Sequence, residues 1–333
     1  MFTSSSHLPA DYLAAANHPS FPNFFIVGAM KAATTTLHAW LKQHPDIFLT
    51  EEKEPFYFID GFPHREDGSL LKRPWGGKRV FPAHFSSHSF NTPEKYLRLF
   101  KGAHKYPIRG EASTLYLPHP PAAARIRECS PNAKILILLR NPIDRAHSAF
   151  NFQRSLGLEP CETFRDALEE ELSGQREDWW YGFRYLYTSM YHDQVKRFLG
   201  LFGANNVLIL RQEDMRDDPA NLLRCIFSFL SVSDYEPRAL NSTNVTKLRS
   251  PLVTAIYRSY RHNRAKNAIA SLLPLKLRKS LGRIVRHQME KLGTHPGPLD
   301  EADRELLRSY FSKDLKNLAQ LTGWDLSNWS AQE

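Results

Sequence analysis

The stretch that most constrains this chain is FFIVGAMKAATTTLHAWL, residues 24–41. Phe24 to Val27 is a short apolar run bounded by Gly28, which reads as a buried strand. Thr34 to Leu41 reads as the first turns of a helix, with Leu37, Trp40 and Leu41 on one side. A strand that turns tightly into a helix aims free backbone N–H groups at one point, where the helix dipole adds partial positive charge. Lys31 contributes a full charge there, and Thr34, Thr35 and Thr36 contribute hydroxyl donors. The stretch is therefore a cradle for a phosphate or a chemically similar anion.

Elsewhere the chain alternates strand and helix patterns. Lys134–Leu139 is the strongest strand pattern, and it runs into Arg140-Asn141-Pro142 at the head of a helix. Asn206–Leu210 reads as a further strand and Tyr106–Leu117 as a strand with a turn. Phe164–Leu172, Ser189–Phe202 and a segment from Asp218-Pro219 to Leu230 read as helices. Leu299–Leu321 reads as a long final helix that buries Leu306, Leu307, Tyr310, Phe311, Leu315, Leu318 and Leu321. This alternation predicts an α/β fold: a P-loop-like three-layer α/β/α arrangement with a central, mostly parallel sheet and a helical C-terminal part. Residues 1–20 read as an irregular tail and 21–325 as one domain. Residues 60–105 read as a long irregular excursion with a helix near Pro93–Phe100, a candidate lid or acceptor contact.

Charge narrows the function classes. The net charge of the 333 residues is +9, yet twelve Lys or Arg against one acid, Glu290, fall between Val245 and Lys291. That basic, helical segment carries +11, so the remainder is near −2. It is a solvated basic face, or a wall that attracts an anionic cosubstrate, an acidic acceptor or a membrane surface. Leu275–His287 within it could lie at a membrane surface as a peripheral contact, or pack on the domain. The longest unbroken apolar run, Ile135–Leu139, is too short to span a bilayer, and residues 1–20 lack the pattern of a secretory signal. Cys129, Cys161 and Cys225 show neither metal spacing nor a disulfide framework, which suits a cytoplasmic protein. The fourteen histidines show no zinc-binding pattern, so no metal is expected.

The order of residues in the first loop separates two chemistries. A nucleotide-triphosphate loop reads G-x-x-x-x-G-K-[ST]. Here Lys31 comes three residues after Gly28, and Ala32-Ala33 separates it from the threonines. That order resembles the 5′-phosphosulfate loop of sulfotransferases, which use 3′-phosphoadenosine 5′-phosphosulfate (PAPS). The continuation through LKQHPDIFLTEEKEPFYF is similar to the membrane-type and bacterial branch, akin to heparan sulfate sulfotransferases. R-N-P-x-x-R-x-x-S, from Arg140 to Ser148, resembles the family's 3′-phosphate motif; an Arg fork and a hydroxyl suit a phosphate monoester. Tyr191–Leu230 also resembles the family.

The resemblance implies a PAPS-dependent sulfotransferase. Lys31, Ala32, Ala33, Thr34, Thr35 and Thr36 would bind the 5′ end, Arg140 and Ser148 the 3′-phosphate. Lys291, with His295-Pro296, resembles a family loop that closes over the nucleotide, although Leu292-Gly293 replaces its Gly-Arg. Lys31 would meet charge on the leaving phosphate. Glu54 matches the family's general base, and Lys53 is shared with bacterial members, whereas Phe56 stands where those often have histidine. GEASTLY, from Gly110 to Tyr116, resembles the family's G-E-x-(S/T)-x-x-Y, with Ala112 where heparan sulfate enzymes have a lysine that Lys53 could replace. Glu111 is the second candidate base or a structural carboxylate. Ala33 stands where the family has glycine, as often does Ala32, and alanine tolerates a positive φ poorly. Phe56, Tyr57 and Phe58 read as an aromatic wall for a carbohydrate, lipid-linked or small-molecule acceptor bearing a hydroxyl or amine. Nucleic acid is not expected as a partner. Two rival readings are a P-loop-type nucleotide kinase and a non-catalytic polyanion-binding protein.

Overall fold

The computed structural model describes residues 10–59, 92–177, 179–238 and 297–330. Five strands form one sheet: β1 (Phe24–Gly28), β2 (Ile47–Leu49), β3 (Ile108–Ala112), β4 (Lys134–Leu139) and β5 (Val207–Arg211). Their order is β2-β3-β1-β4-β5, and every pairing is parallel. A parallel sheet is covered on both faces, so its strands need apolar residues at every position rather than alternation. All five residues of β1 are buried, and so are five of the six in β4. At roughly 2 kcal/mol for each fully buried large apolar side chain, Phe24, Phe25, Ile26 and Val27 alone anchor the centre of the domain.

Helices flank this sheet in a three-layer α/β/α arrangement. They are α1 (Ala10–Ala16), α2 (Thr34–Leu41), α3 (Pro93–Arg98), α4 (Ala122–Cys129), α5 (Pro142–Ser155), α6 (Phe164–Leu172), α7 (Tyr191–Phe202), α8 (Gln212–Asp217), α9 (Pro219–Leu230), α10 (Glu301–Thr322) and α11 (Ser327–Ser330). Their starts are chemically marked. The side chains of Thr92, Asn141, Thr163 and Asp218 each accept an N–H of the following first turn. Proline stands at the first turn of α3, α5 and α9, where its missing N–H costs nothing.

Several local expectations change in the fold. Ala10–Ala16 is a helix where an irregular tail was expected. Its alanines favour helix, and Tyr12 stacks on Tyr57 at 4.7 Å, a tertiary contact that no local pattern announces. In α10, Leu307, Phe311, Leu315 and Leu318 are buried, but Tyr310 is exposed and Leu306 and Leu321 are only partly buried, so the stripe is narrower than expected. Phe56, Tyr57 and Phe58 are core residues rather than an open wall. Phe58 meets Phe25 edge-on at 5.9 Å, and Tyr57 stacks on Tyr96 at 3.9 Å. Residues 60–91 of the excursion expected over 60–105, the basic segment 245–291 with the helix expected at 275–287, and Lys291 lie outside the described residues.

The topology creates the site. The chain leaves β1 toward β2 and β3 and leaves β4 toward β5, so the loops beyond β1 and β4 diverge. In open α/β sheets, ligands bind in the crevice at such a switch point, beyond the carboxyl ends of the strands.

Candidate active site

The loop after β1 begins at a forced glycine. A Cβ on Gly28 would lie 2.6 Å from that of Leu117, so no larger residue fits there. Lys31 and Ala33 then adopt left-handed backbone, with φ of 72° and 63°. Ala33 is the residue immediately before α2, so the glycine-type conformation expected at this position is present, carried by an alanine. Ala32 is buried with ordinary φ, Thr34 and Thr36 are buried, and Thr35 is exposed. α2 begins directly after this loop, so the partial positive charge of its N-terminus adds to that of Lys31.

Three cations converge here. The Lys31 ammonium lies 4.3 Å from the centre of the Phe152 ring, on α5. Arg140, at the end of β4, donates from Nη1 to the Lys31 carbonyl at 3.3 Å. Burial, then the charges of Arg140 and Arg145, push the Lys31 amine down to about 8. Arg145 is wholly buried. Its Nε donates to Ser189 Oγ and its Nη2 to the Tyr185 carbonyl, both at 2.6 Å, while its Nη1 has no partner among the described residues. A partnerless guanidinium nitrogen beside two further cations fits a bound phosphate or sulfate ester, and the donor set is right for one. Ser148 is partly buried two turns along the same helix. The Tyr191 hydroxyl holds the Arg140 carbonyl at 3.0 Å, and Asp314 of α10 caps α7 by accepting from the Tyr191 amide at 2.8 Å.

The segment after β2 crosses in front of α2. Lys53 Nζ donates to Thr35 Oγ1 at 2.8 Å, which joins two candidates from separate motifs. Burial lowers the Lys53 amine, against the pull of Glu54. Glu54 is partly buried, and its carboxylate accepts from the Thr114 amide at 2.9 Å and the Thr114 hydroxyl at 3.0 Å. Burial raises the Glu54 carboxyl, opposed first by Lys53 and then by Thr114. A carboxylate of raised basicity beside a lysine is suited to accepting a proton.

Glu111 has a different environment. It is fully buried, and it accepts from Ser113 Oγ at 2.6 Å, Tyr116 Oη at 2.8 Å and Tyr96 Oη at 2.9 Å. Burial raises its carboxyl to about 7, against those three donors. Three protein hydroxyls occupy the positions an acceptor would need, so the geometry favours the structural role for Glu111 and leaves the partly buried Glu54 as the more accessible of the two carboxylates.

Sequence reasoning did not assign roles to Arg145, Phe152 or Thr114. Arg145 stands inside the quoted R-N-P-x-x-R-x-x-S spacing, so its signal was visible. Phe152 and Thr114 carry no local signal, since only the packing of α5 and the end of β3 brings them to Lys31 and Glu54.

Comparisons with known proteins identify the family and the fold. The family pattern described as "Sulfotransferase family" matches residues 22–237. The chain is 29% identical over 131 residues to the membrane-associated sulfotransferase kil1 of Dictyostelium discoideum, covering 39% of this chain and 23% of that protein. It is 27% identical over 220 residues to the mouse bifunctional heparan sulfate N-deacetylase/N-sulfotransferase 1, covering 64% of this chain and 22% of that protein. Among solved structures, it is similar to a sulfotransferase from Alicyclobacillus acidocaldarius, with a TM-score of 0.69 and 29% identity over 93% of this chain and 99% of that one.

Proposed function

The chain belongs to the sulfotransferase family, and on that premise we propose that it moves a sulfuryl group from PAPS to a hydroxyl or amine of a glycan, lipid-linked or small-molecule acceptor. The observation that carries this reading is the junction of two anion cradles. The β1–α2 loop with Lys31 is tied to the end of β4 with Arg140 by the bond from Arg140 Nη1 to the Lys31 carbonyl at 3.3 Å and by the Ala29 amide, which donates to the Leu138 carbonyl at 2.7 Å. An adenosine bisphosphate needs two such cradles, one for each end.

PAPS supplies an activated sulfuryl group. The sulfur–oxygen bond to the 5′-phosphate breaks and a bond from sulfur to the acceptor atom forms. Lys31 and the first N–H groups of α2 stabilise the charge that grows on the phosphate oxygen. Lys53, held by Thr35 at the start of α2, steadies the sulfuryl oxygens. Glu54 takes the proton from the acceptor atom as that atom bonds to sulfur. Arg140 and Ser148, with the Nη1 of Arg145, hold the 3′-phosphate. By analogy with phosphoryl transfer, the chemistry depends on positioning and charge stabilisation more than on covalent assistance by the protein.

The acceptor class follows from a screen with labelled PAPS against glycans, lipid-linked alcohols and small alcohols and amines. Calorimetry with the product nucleotide, 3′-phosphoadenosine 5′-phosphate (PAP), tests the donor site directly. Absence of PAP binding would remove this function. Preference for ATP with Mg²⁺ would favour a nucleotide kinase, and salt-sensitive binding of any polyanion would favour a non-catalytic binder. The cytoplasm, where reducing conditions suit unpaired cysteines, is the proposed compartment.

A further inference from the structure

The segment carrying Glu54 is strained. Glu54 and Phe56, on either side of Pro55, have φ of 59° and 53°. Left-handed backbone costs a non-glycine residue about 1–2 kcal/mol, so two in three residues persist only where surrounding contacts hold them. Three residues at the end of β3 supply polar contacts of this kind. The Glu54 amide donates to the Ala112 carbonyl at 2.8 Å, the Phe56 amide donates to Ser113 Oγ at 3.2 Å, and Thr114 binds the Glu54 carboxylate.

Ser113 is the hinge of this arrangement. A hydroxyl has one hydrogen and two lone pairs. Its hydrogen is committed to Glu111 Oε2 at 2.6 Å, which turns the lone pairs toward the Phe56 amide. Glu111 is in turn fixed by Tyr116 and by Tyr96 of α3, and Tyr96 stacks on Tyr57, the neighbour of Phe56. The result is a buried chain running Glu111–Ser113–Phe56, which ends two residues from the proposed base.

We propose that Glu111 is a positioning residue: its buried carboxylate, acting through Ser113, holds the Glu54–Phe56 corner in the strained shape that sets the Glu54 carboxylate against Thr114 and Lys53. This assignment rests on the reading of Glu54 as the base. It gives Glu111 a part in the reaction without contact with the acceptor.

The test uses the full chain and variants Ser113→Ala, Glu111→Gln, Glu111→Asp and Ser113→Ala/Glu111→Gln. Two readouts follow the corner: hydrogen exchange of the Phe56 amide, and the titration of the Glu54 side chain by carbon-13 NMR. Ser113→Ala and Glu111→Gln are each expected to speed Phe56 exchange about tenfold or more and to shift the Glu54 titration. The double variant should go no further than Ser113→Ala alone, because both changes break one chain. Unchanged exchange and titration in Ser113→Ala overturn the proposal. So does an effect of Ser113→Ala that Glu111→Gln does not share, or additive effects in the double variant. If Glu111→Gln does not fold, Glu111→Asp, with its carboxylate one methylene short, takes its place. PAP calorimetry on the same proteins keeps the two questions apart. Wild-type protein that fails to bind PAP removes the function, while the exchange data still decide the chain.

Discussion

Lys53 and Thr35 meet at 2.8 Å, Nζ to Oγ1, although they stand eighteen positions apart, with the rest of α2 and all of β2 between them. Thr35 is in the first turn of α2 and is the exposed one of the three threonines. The contact ties the segment carrying Glu54 to the loop carrying Lys31. It places the Lys53 charge beside the first turn of α2, next to the loop that carries Lys31.

Lys31→Ala and Arg140→Ala should each weaken PAP binding by about 10- to 100-fold, the equivalent of losing roughly 1.5–3 kcal/mol from a charged hydrogen bond. Titration calorimetry reads this directly. Unchanged affinity in both variants would move the nucleotide away from the junction of β1 and β4.

PAP affinity should also fall as pH rises past about 8. The Lys31 amine titrates at about 8 in the free protein, lowered by burial and by Arg140 and Arg145. A phosphate oxygen favours the charged ammonium, so binding takes up a proton once the amine has begun to lose it. Affinity is therefore full below that pH and declines above it, by at most about tenfold per pH unit. Calorimetry at pH 7 and pH 9 in buffers of different ionisation enthalpy measures both the decline and the proton uptake. A flat affinity across that interval would show that Lys31 is not the group involved.

Glu54→Gln should lower turnover by roughly 10²–10⁴-fold, the usual contribution of a general base, while PAP affinity stays within about twofold. Steady-state rates with labelled PAPS, beside PAP calorimetry, separate the two effects. Retained turnover in this variant would shift the proton acceptor to another group.

Ala33→Gly should raise stability by about 1 kcal/mol. The φ of 63° at Ala33 is strained for alanine and free for glycine, and this relief exceeds the entropy that glycine adds to the unfolded chain. Thermal melting should rise by roughly 2 °C. A lower melting point would mean that the Cβ of Ala33 makes packing contacts worth more than the strain.

Much of the fold is local chemistry. β1, β4 and β5 are apolar runs of strand length, and α5, α6 and α9 begin at Asn141-Pro142, Thr163 and Asp218-Pro219, residue types strongly preferred at helix starts. The anion cradle is equally local, because Gly28, Lys31 and the threonines lie within nine residues and act through one loop. Their spacing alone predicts a cradle for a negative group at the first strand–helix junction.

The division of labour between the carboxylates is different. Glu54 and Glu111 are both acidic residues near a strand end, and no local pattern distinguishes them. Tertiary packing decides: Tyr96 from α3 and Tyr116 from the following turn close over Glu111, whereas the Glu54 carboxylate accepts from Thr114 and faces the charge of Lys53. The same holds for Arg145, buried by the 185–189 segment, and for Phe56, Tyr57 and Phe58, drawn into the core. Basicity and access depend on which distant groups surround a side chain. Those neighbours exist only once the strands have paired and the helices have docked.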